Sequence, residues 1–393
     1  MTAIEIFFWF SFIILFYCYA GYGMLVFAWN HFRRMFSPQK LVLNFELPAV
    51  TLIVAAYNEE AIIEQKIKNT LDIDYPSHLL KIIFVTDGST DGSTELIKNH
   101  DSIVLLHQAE RKGKFAAIKR ALRFVETPIV VFSDANSMLN AGSIKAIVRH
   151  YADEKVGGVA GEKKILNGHY QSVVGQAEGL YWRYESFMKK QDAEFNSVVG
   201  AAGELFSIKT ELFRSFDDNL ILDDFIISMQ VCLEGYKIEY EPSAYAIETP
   251  SASLAEEEKR KTRIAAGAYQ AIGYLKQCLN IFKYPLLTLQ YFSRRLLRWV
   301  ACPVLIIIIL ASNISLVIDQ QGIIYDYLLL AQGVFYLLAL AGRFFISMGW
   351  RMGLLNIPFY FLFMNICLVK GFFNYIQGRQ TVAWEKSLRE AIE

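Results

Sequence analysis

Residues 49–60 have the sequence AVTLIVAAYNEE, a mainly apolar run that becomes polar at Tyr57. A short apolar run of this kind is typical of a parallel strand that is buried on both faces. The residues NEE that follow predict the capped start of a helix, which we expect to reach about residue 71. A strand, a polar turn and a helix in this order predict the first βα unit of an α/β domain.

The same order repeats up to residue 134. Apolar runs predict strands at 81–86, 102–107 and 128–132, and helical patterns occupy 93–99 and 114–125. Further along the chain, the patterns predict a strand at 205–208 and a helix at 225–233. The alternation predicts right-handed βαβ units and a mainly parallel, Rossmann-like sheet. Such sheets bind ligands at the carboxyl ends of their strands.

Polar turns follow three of these strands and are expected to meet in one crevice. Asp87 lies in the turn DGSTDGS, where its carboxylate could accept hydrogen bonds from a nucleobase or a ribose; a plain Asp-Gly turn is the alternative. Asp134 and Asn136 have the spacing of a D-x-D metal motif whose second carboxylate is replaced by an amide. Asp134 could bind a divalent metal or a ribose, Asn136 would be a weaker ligand, and a simple strand-end turn is the alternative.

Basic residues that could face a phosphate precede one helix and begin another. Lys114 follows the dipeptide KG at a helix start, where a lysine and free backbone N–H groups can pair with a diphosphate; an exposed basic turn is the alternative. The run EEEKRKTR (256–263) places Arg260 and Arg263 at i and i+3, so they could clamp a diphosphate leaving group, unless the run is only a solvated face. The chain has no Walker pattern and no G-x-G-x-x-G, which disfavours a P-loop ATPase or a dinucleotide-binding enzyme.

Two adjacent carboxylates precede the predicted helix at 225–233. Asp223 and Asp224 could cap that helix, or one of them could be a general base whose pKa is raised by the charge of the other. The segment GAAGE, which ends in Gly203 and Glu204, precedes the strand at 205–208. Its small residues could let backbone and substrate approach closely, and a tight turn is the alternative.

The charge pattern divides the chain into a globular part and two apolar ends. The 393 residues balance 39 Lys and Arg against 39 Asp and Glu, which gives no support to a nucleic-acid-binding protein. Residues 1–30 hold one charge and residues 283–375 hold nine, whereas 25% of the other 270 residues are charged, as in soluble domains. The sequence therefore predicts an integral membrane protein.

The predicted segments are an N-terminal transmembrane anchor (1–30), a linker (31–48), a globular domain (49–283), an interfacial helix (284–298), about three transmembrane helices (299–375) and a polar tail (376–393). Basic residues such as Arg33 and Arg34 after the anchor, and Arg294 and Arg298 before the later helices, place the globular domain in the cytoplasm. Three later crossings place the tail outside, whereas its basic residues favour the inside, and the sequence leaves both alternatives open.

The motifs form an ordered set. AAYNEE, DGSTDGS, RKGKFAAIKRAL, SDANS, GAAGELFSIK, DD and RKTR follow one another and precede membrane helices. This set resembles the family 2 membrane glycosyltransferases, which include cellulose, hyaluronan, poly-N-acetylglucosamine and chitin-oligosaccharide synthases. The resemblance covers about residues 49–280 and is specific for family and reaction type, but not for the sugar. It implies the GT-A nucleotide-sugar-binding fold, flanked by transmembrane helices, in a bacterial inner (plasma) membrane.

The resemblance also implies roles for individual residues. The catalytic base is Asp224. The nucleotide-sugar site contains Ala55, Tyr57, Glu59, Asp87, Lys114, Asp134, Arg260 and Arg263; the acceptor site contains Gly203, Glu204 and Asp223. A divalent metal, Mg²⁺ or Mn²⁺, is expected at Asp134, with the neutral amide of Asn136 as a weaker second ligand.

Three positions depart from the family pattern. Asn136 replaces the second Asp of the D-x-D motif, Asp223 replaces a Glu, and Ile264 stands where a Trp normally stacks on the acceptor sugar. In the tail, Trp384, Lys386 and Arg389 are loosely similar to a Trp-containing gating segment of hyaluronan and chitin synthases.

The leading hypothesis is an inverting hexosyl or N-acetylhexosaminyl transfer from a UDP-sugar to a growing polysaccharide. Under this hypothesis the enzyme contacts membrane lipids, and its reaction could be coupled to export with the help of accessory export subunits. The first alternative is transfer of a single sugar to a membrane lipid carrier. A channel for a polymer predicts polar or aromatic groups on one helix face; the candidates are Tyr325, Tyr327, Gln332, Tyr336, Asn356, Tyr360 and Asn365. A non-catalytic nucleotide-sugar-binding membrane protein is the remote alternative.

Overall fold

A computed structural model describes residues 1–36, 45–166, 173–348 and 356–379 of the chain. Residues 37–44 of the predicted linker and residues 380–393 of the polar tail lie outside the described residues, and the latter include Trp384, Lys386 and Arg389.

Within the described residues, eight strands form one sheet. They are β1 (Val50–Ala56), β2 (Leu80–Asp87), β3 (Val104–Gln108), β4 (Ile129–Asp134), β5 (Met138–Leu139), β6 (Val156–Ile165), β7 (Phe206–Lys209) and β8 (Lys237–Glu248). Their order across the sheet is β3-β2-β1-β4-β7-β6-β8-β5. Strands β3, β2, β1 and β4 are parallel, as are β6 and β8, whereas β7 and β5 pair with their neighbours in antiparallel fashion. The prediction of a mainly parallel sheet is therefore confirmed.

Helices flank the sheet and continue into the apolar ends. They are α1 (Ala3–Phe36), α2 (Glu60–Leu71), α3 (Ser93–Lys98), α4 (Lys114–Leu122), α5 (Ser143–Val148), α6 (Val173–Phe195), α7 (Asp223–Leu233), α8 (Leu254–Tyr274), α9 (Pro285–Ile318), α10 (Ile323–Ser347) and α11 (Ile357–Ile376). Short 3₁₀ helices occupy Ser77–Leu79, Arg149–Ala152, Thr210–Leu212 and Lys276–Leu279. Helix α1 contains a π-helical stretch at Tyr17–Gly21, and α9 contains another at Phe292–Ala301.

The first strand lies at the centre of the packing, as its composition requires. All of β1 is buried, and its side chains alternate between two cores. Ile53 belongs to a core shared with Phe115 and Phe206, whereas Leu52 belongs to a core on the opposite face of the sheet, with Ile63. Helix α2 begins at Glu60 as expected, although Glu59 makes no side-chain capping hydrogen bond.

Four helices are long and apolar enough to cross a membrane among the described residues: α1, α9, α10 and α11. Segment 284–298, expected as an interfacial helix, lies at the start of the continuous helix α9. Helix α1 is likewise continuous to Phe36, beyond the predicted end of the anchor.

The arginines that precede the membrane run of α9 are not free surface charges. Arg294 Nε donates to Asp192 Oδ2 over 2.8 Å, and Arg298 Nη1 donates to Glu185 Oε1 over 2.7 Å. Both carboxylates lie on α6, and Tyr22 of α1 donates to the other oxygen of Asp192. These buried contacts fix α1 and α9 onto the globular domain, so the two parts of the chain form one packed body.

Candidate active site

A large cavity lies at the carboxyl ends of β1 and β4 and extends to the membrane helices. Its volume is about 1970 Å³. The predicted site residues in its wall are Glu59, Lys114, Asp134, Asn136, Gly203, Glu204, Asp223, Asp224, Arg260 and Arg263. Towards the membrane helices, the wall includes Phe12, Leu15 and Tyr19 of α1 and Phe361, Met364 and Leu368 of α11. The structure therefore brings most of the predicted site together, although the residues are far apart in sequence.

The cation expected at the start of α4 faces the strand-end carboxylate. Lys114 Nζ lies 2.5 Å from Oδ1 of Asp134. Burial opposes the charge of Lys114, but Asp134, Asp223 and Asp224 outweigh it and hold the pKa of Lys114 above its ordinary value. Burial also raises the pKa of Asp134, although Lys114 opposes that shift. The cavity wall thus contains a charged ammonium group at a helix N-terminus, an arrangement that is suited to binding an anion such as a phosphate.

The acidic pair at the start of α7 has different surroundings for its two members. The N-cap of α7 is Leu222, with no side-chain capping bond, so the capping interpretation is not supported. Burial and the neighbouring Asp223 raise the pKa of Asp224 to about 7. Asp224 Oδ1 accepts a hydrogen bond from Phe225 N over 2.8 Å. Asp223 is 4% exposed, and its Oδ2 has no hydrogen-bond partner among the described residues. A carboxylate with a pKa near 7 is suited to general base catalysis.

The backbone of the GAAGE segment lies close to both Lys114 and Asp224. A Cβ atom on Gly203 would lie 3.0 Å from Lys114 Nζ and 3.2 Å from Asp224 Oδ2. Glycine at this position therefore lets the cation and the carboxylate approach the same point of the backbone. Next to it, Glu204 accepts a hydrogen bond from the buried Lys163, which lowers the pKa of Glu204 despite its burial.

Three predicted nucleotide-site residues lie outside the cavity wall. Ala55 is buried in β1, and its carbonyl accepts a hydrogen bond from Ala135 N over 3.2 Å, so it supports the Asp134 turn. Tyr57 lies under a guanidinium group, with Arg111 Cζ 3.7 Å from the centre of its ring.

Asp87 is the third of these residues, and its carboxylate holds a loop. It accepts hydrogen bonds from Lys112 N over 3.0 Å and from Gly113 N over 2.7 Å. Gly113 has a φ of 99°, which favours glycine, and it directly precedes Lys114. In this structure, Asp87 thus sets the position of the loop that leads to Lys114.

The two arginines predicted to clamp a diphosphate have different partners. Arg263 faces the site: burial lowers its pKa, while Asp223 and other carboxylates there oppose the shift. Arg260 Nη2 instead donates to Glu257 Oε2 over 2.9 Å. Glu257 also accepts from Ser251 and Tyr360 over 2.7 and 3.2 Å. Arg263 is therefore the better placed of the two to meet a ligand charge.

Sequence reasoning did not identify the polar groups beneath the Asp134 turn. Lys163 Nζ donates to Glu248 Oε2 over 2.6 Å, and Ser137 Oγ donates to Glu248 Oε1 over 2.7 Å. Lys66 Nζ donates to Ser133 Oγ over 2.9 Å and also to the Ser137 carbonyl. Burial lowers the pKa of Lys66 to about 7, although Asp134 and Glu248 oppose the shift. These contacts fix both ends of the turn.

The sequence does contain a signal for two of these groups, Lys66 and Glu248. Lys66 is three residues after Ile63 and directly before Ile67, so it occupies the apolar face of its helix. Glu248 continues the inward positions of β8 that Ala244 and Ala246 occupy. A charged residue in an inward register usually has a buried partner.

The fit of a divalent metal can be judged from these groups. The described residues contain no cluster of three or more His, Cys, Asp or Glu side chains arranged to hold a metal ion. Asp134 and Asn136 offer one carboxylate and one amide, and Asp134 is already paired with Lys114. Mg²⁺ is commonly bound by one or two carboxylates together with substrate phosphates. The residues therefore fit a metal that is completed by a phosphate-bearing ligand.

The fold is shared with a solved enzyme structure. The mannosyltransferase PcManGT from Pyrobaculum calidifontis, solved in complex with GDP-Man and Mn²⁺, superposes with a TM-score of 0.68. The match covers 96% of this chain and 99% of that chain at 21% sequence identity. The chain therefore has the predicted GT-A-like fold. The four described helices that are long and apolar enough to cross a membrane flank this domain, as expected for a membrane protein.

The comparison with family models is more specific. Residues 48–267 match the model described as "Glycosyltransferase like family 2", and the chain belongs to that family. It is 25% identical over 270 residues to the poly-beta-1,6-N-acetyl-D-glucosamine synthase of Staphylococcus aureus (strain COL), which covers 65% of this chain and 63% of that protein. The synthase of Staphylococcus epidermidis (strain ATCC 35984) is 22% identical over 236 residues, or 58% of this chain and 56% of that protein. The chain thus matches less than two thirds of the length of these relatives.

Proposed function

We propose that the protein is an inverting membrane glycosyltransferase that transfers a sugar from a UDP-sugar to a growing polysaccharide. The observation that carries this proposal is Asp224, a carboxylate with a pKa near 7 that shares a cavity with the Lys114–Asp134 ion pair. Membership of the family and similarity to polysaccharide synthases support the same conclusion.

In the proposed reaction, Asp224 removes the proton from an acceptor hydroxyl group as its oxygen attacks the anomeric carbon. The new glycosidic bond forms as the bond from that carbon to the diphosphate oxygen breaks, and UDP leaves with the bonding electrons. Lys114 and Arg263 balance the charge that develops on the diphosphate. Glu204 and Asp223 would face the acceptor, because they line the same cavity beside the base.

Asp134, together with Asn136, would hold a divalent cation through contacts completed by the donor phosphates. Bound there, the cation would neutralise part of the diphosphate charge. Asp87 would reach a uridine only if the amide hydrogen bonds from Lys112 and Gly113 are shared or exchanged, because both oxygens of its carboxylate accept from that loop.

The proposal places the globular domain on the cytoplasmic side of a bacterial inner membrane. Arg33 and Arg34 at the end of α1 support this orientation through the positive-inside rule. A UDP-sugar made in the cytoplasm would then reach the cavity directly, and accessory export subunits would act on the other side.

The structure gives a specific reason to keep single transfer to a lipid carrier as the second candidate. The part of the cavity next to α1 and α11 has apolar side chains, including Phe16, Phe361 and Leu368. An acceptor with an apolar tail could lie against them. Of the side chains expected to line a polymer channel, Asn356 and Tyr360 lie in the cavity wall, whereas Tyr325 donates a hydrogen bond to Glu5.

Incubation of the purified protein with radiolabelled UDP-sugars, a divalent metal and lipid vesicles tests the proposal. A ladder of long, water-soluble products supports polymer synthesis. A single labelled product that extracts into organic solvent supports transfer to a lipid and contradicts the leading proposal. Binding of a UDP-sugar in the presence of Mg²⁺ or Mn²⁺ without any transfer would leave the non-catalytic alternative.

A further inference from the structure

We propose that α11 lies along the membrane surface next to the globular domain instead of crossing the bilayer. Three helices then cross, α1, α9 and α10, and Arg379 lies on the same side of the membrane as the catalytic cavity. This inference rests on helix packing and is independent of the proposed reaction.

The two ends of the crossing helices can be identified from their contacts. At the end next to the globular domain, here called the domain end, Tyr17 Oη lies 2.8 Å from Ser293 Oγ. At the opposite end, here called the far end, Tyr325 donates to Glu5 over 3.0 Å and packs against Phe8. Helix α9 therefore runs from the domain end to the far end, and α10 returns.

Helix α11 begins at the domain end. Phe359 and Tyr360 pack in one cluster with Tyr181 of α6, Leu254 of α8 and Ile346 near the end of α10. A helix that crosses from this point would carry its last residues to the far end, beside Glu5 and Tyr325.

The C-terminal half of α11 instead follows α8 of the globular domain. Lys370 forms an ion pair with Glu258, and Gly371 lies so close to Ala265 that a Cβ atom on Gly371 would clash with the Cβ atom of Ala265. Further along, the ring of Tyr375 stacks on Tyr269 with a centroid distance of 6.5 Å. The segment of α11 from Tyr360 to Tyr375 thus lies alongside α8 and contacts it along most of the length of α8.

Helix α8 cannot accompany α11 into hydrocarbon. The segment 256–263 reads EEEKRKTR, and a charged side chain at the centre of a bilayer costs on the order of 3 kcal/mol or more. The other side of α8 packs on the globular domain, where Gly267 lies against Ile221. Tyr269 also donates to the carbonyl of Trp299, close to the domain end of α9. Both ends of α11 are therefore held at the domain end.

The faces of α11 agree with a position in the interface. The side that meets α8 includes the buried residues Tyr360, Phe363, Cys367 and Gly371. The opposite side has a stripe of exposed apolar side chains, Ile366, Val369, Phe373 and Ile376, at helical spacing. An amphipathic helix with one face on a protein and an apolar face exposed can lie in the headgroup and acyl boundary of a lipid bilayer. After it, Gln377 and Arg379 line the catalytic cavity.

Sidedness can be tested in sealed vesicles with a membrane-impermeant maleimide. The variants are Gln377→Cys, Lys98→Cys on the globular domain and Gln321→Cys in the turn at the far end, all at exposed positions. The unmodified chain is the background control, because its five cysteines are buried. We expect residues 377 and 98 to be labelled from one side and residue 321 from the other. Labelling of residue 377 together with residue 321 would overturn the proposal.

The depth of α11 in the lipid bilayer can be measured in a second, independent experiment. A fluorophore is attached to Ile366→Cys, Phe373→Cys or Ile376→Cys, and its quenching by brominated lipids is measured. A helix in the interface gives similar shallow depths at all three positions. A crossing helix spreads them over roughly 15 Å, since each residue rises about 1.5 Å, and that result would also overturn the proposal.

Discussion

Lys114 Nζ lies 2.5 Å from Oδ1 of Asp134 and so joins the start of α4 to the end of β4 by one ion pair. The pKa of Lys114 stays above its ordinary value because three carboxylates outweigh the effect of burial. The lysine therefore remains a cation at any working pH. Under the proposed function, a donor diphosphate that enters the cavity would meet this charge already in place.

Lys114→Met should weaken the binding of UDP. A hydrogen bond to a charged group contributes about 1.5–3 kcal/mol, so we expect the dissociation constant to rise roughly 10- to 100-fold. Isothermal titration calorimetry with UDP and Mg²⁺ measures this change. Lys119→Met on the same helix is the matched control, because Lys119 pairs with Asp218 away from the cavity. Equal affinities for the two variants would contradict a phosphate role for Lys114.

Asp224→Asn should abolish transfer and leave UDP binding largely intact. General base catalysis contributes about 10²–10⁴-fold to rate, and an amide cannot accept the acceptor proton. Steady-state turnover with a labelled UDP-sugar, paired with calorimetric UDP binding, separates the two effects. Asp72→Asn, at an exposed helix end, should behave like the unmodified protein. Near-normal turnover in Asp224→Asn would remove this residue from the mechanism.

The rate should depend on pH through the same carboxylate. Burial and Asp223 raise the pKa of Asp224 to about 7, and only its ionised form can accept a proton. We therefore expect kcat/KM to fall as the pH is lowered through about 7. Asp223→Asn removes the neighbouring negative charge, so this limb of the profile should move to lower pH. Asp217→Asn serves as the control, and an unmoved limb in Asp223→Asn would show that another group titrates.

The sequence allowed the layered fold and the main charged residues of the site to be predicted for a simple physical reason. Buried parallel strands such as residues 49–56 must be continuously apolar, and polar residues at their ends must lie at one edge of the sheet. Glu59 and Asp134 could therefore be expected in one crevice, and both line the cavity. Lys114 and Asp224 were expected in the same site from the resemblance to membrane glycosyltransferases, and they line it as well.

The partners of these residues could not be predicted in the same way. Strand β6 has the sequence VGGVAGEKKI, whose glycines obscure a strand pattern, and it was not predicted. Lys163, within that strand, bridges Glu204 and Glu248, whose pairing depends on strand order. The arginines of α9 had the pattern of a membrane-flanking cluster. Their buried contacts with α6 are tertiary and leave no local signal.

Gly203→Ala should impair catalysis without unfolding the protein. The added Cβ would lie 3.0 Å from Lys114 Nζ and 3.2 Å from Asp224 Oδ2, so these flexible groups must shift. Small displacements in an active site can cost on the order of 10²-fold in rate. Gly273→Ala is the matched control, because no atom lies within 4 Å of its added Cβ. Turnover and thermal unfolding of both variants test this; equal turnover in the two would contradict the close approach.

Arg263 and Arg260 should give different results, although both were predicted to clamp the diphosphate. Arg263→Ala removes a cation from the cavity, so we expect kcat/KM to fall by about 10²–10³-fold, as for loss of one transition-state donor, with an unchanged melting temperature. Arg260→Ala instead leaves the buried Glu257 without its bidentate partner. Loss of that pairing should lower the free energy of unfolding by about 1–3 kcal/mol and lower the melting temperature.

Replacement of each arginine by lysine separates the effect of the charge from that of the guanidinium group. Arg260→Lys keeps a cation beside Glu257 and should recover much of the stability lost in Arg260→Ala. Arg263→Lys keeps the charge but loses the planar fork of donors, so it should recover only part of the activity. Thermal unfolding and steady-state kinetics on all four variants measure these effects. If Arg260→Ala loses activity as strongly as Arg263→Ala while its melting temperature is unchanged, the two arginines act together on the ligand, and the different partners seen in the structure do not decide their roles.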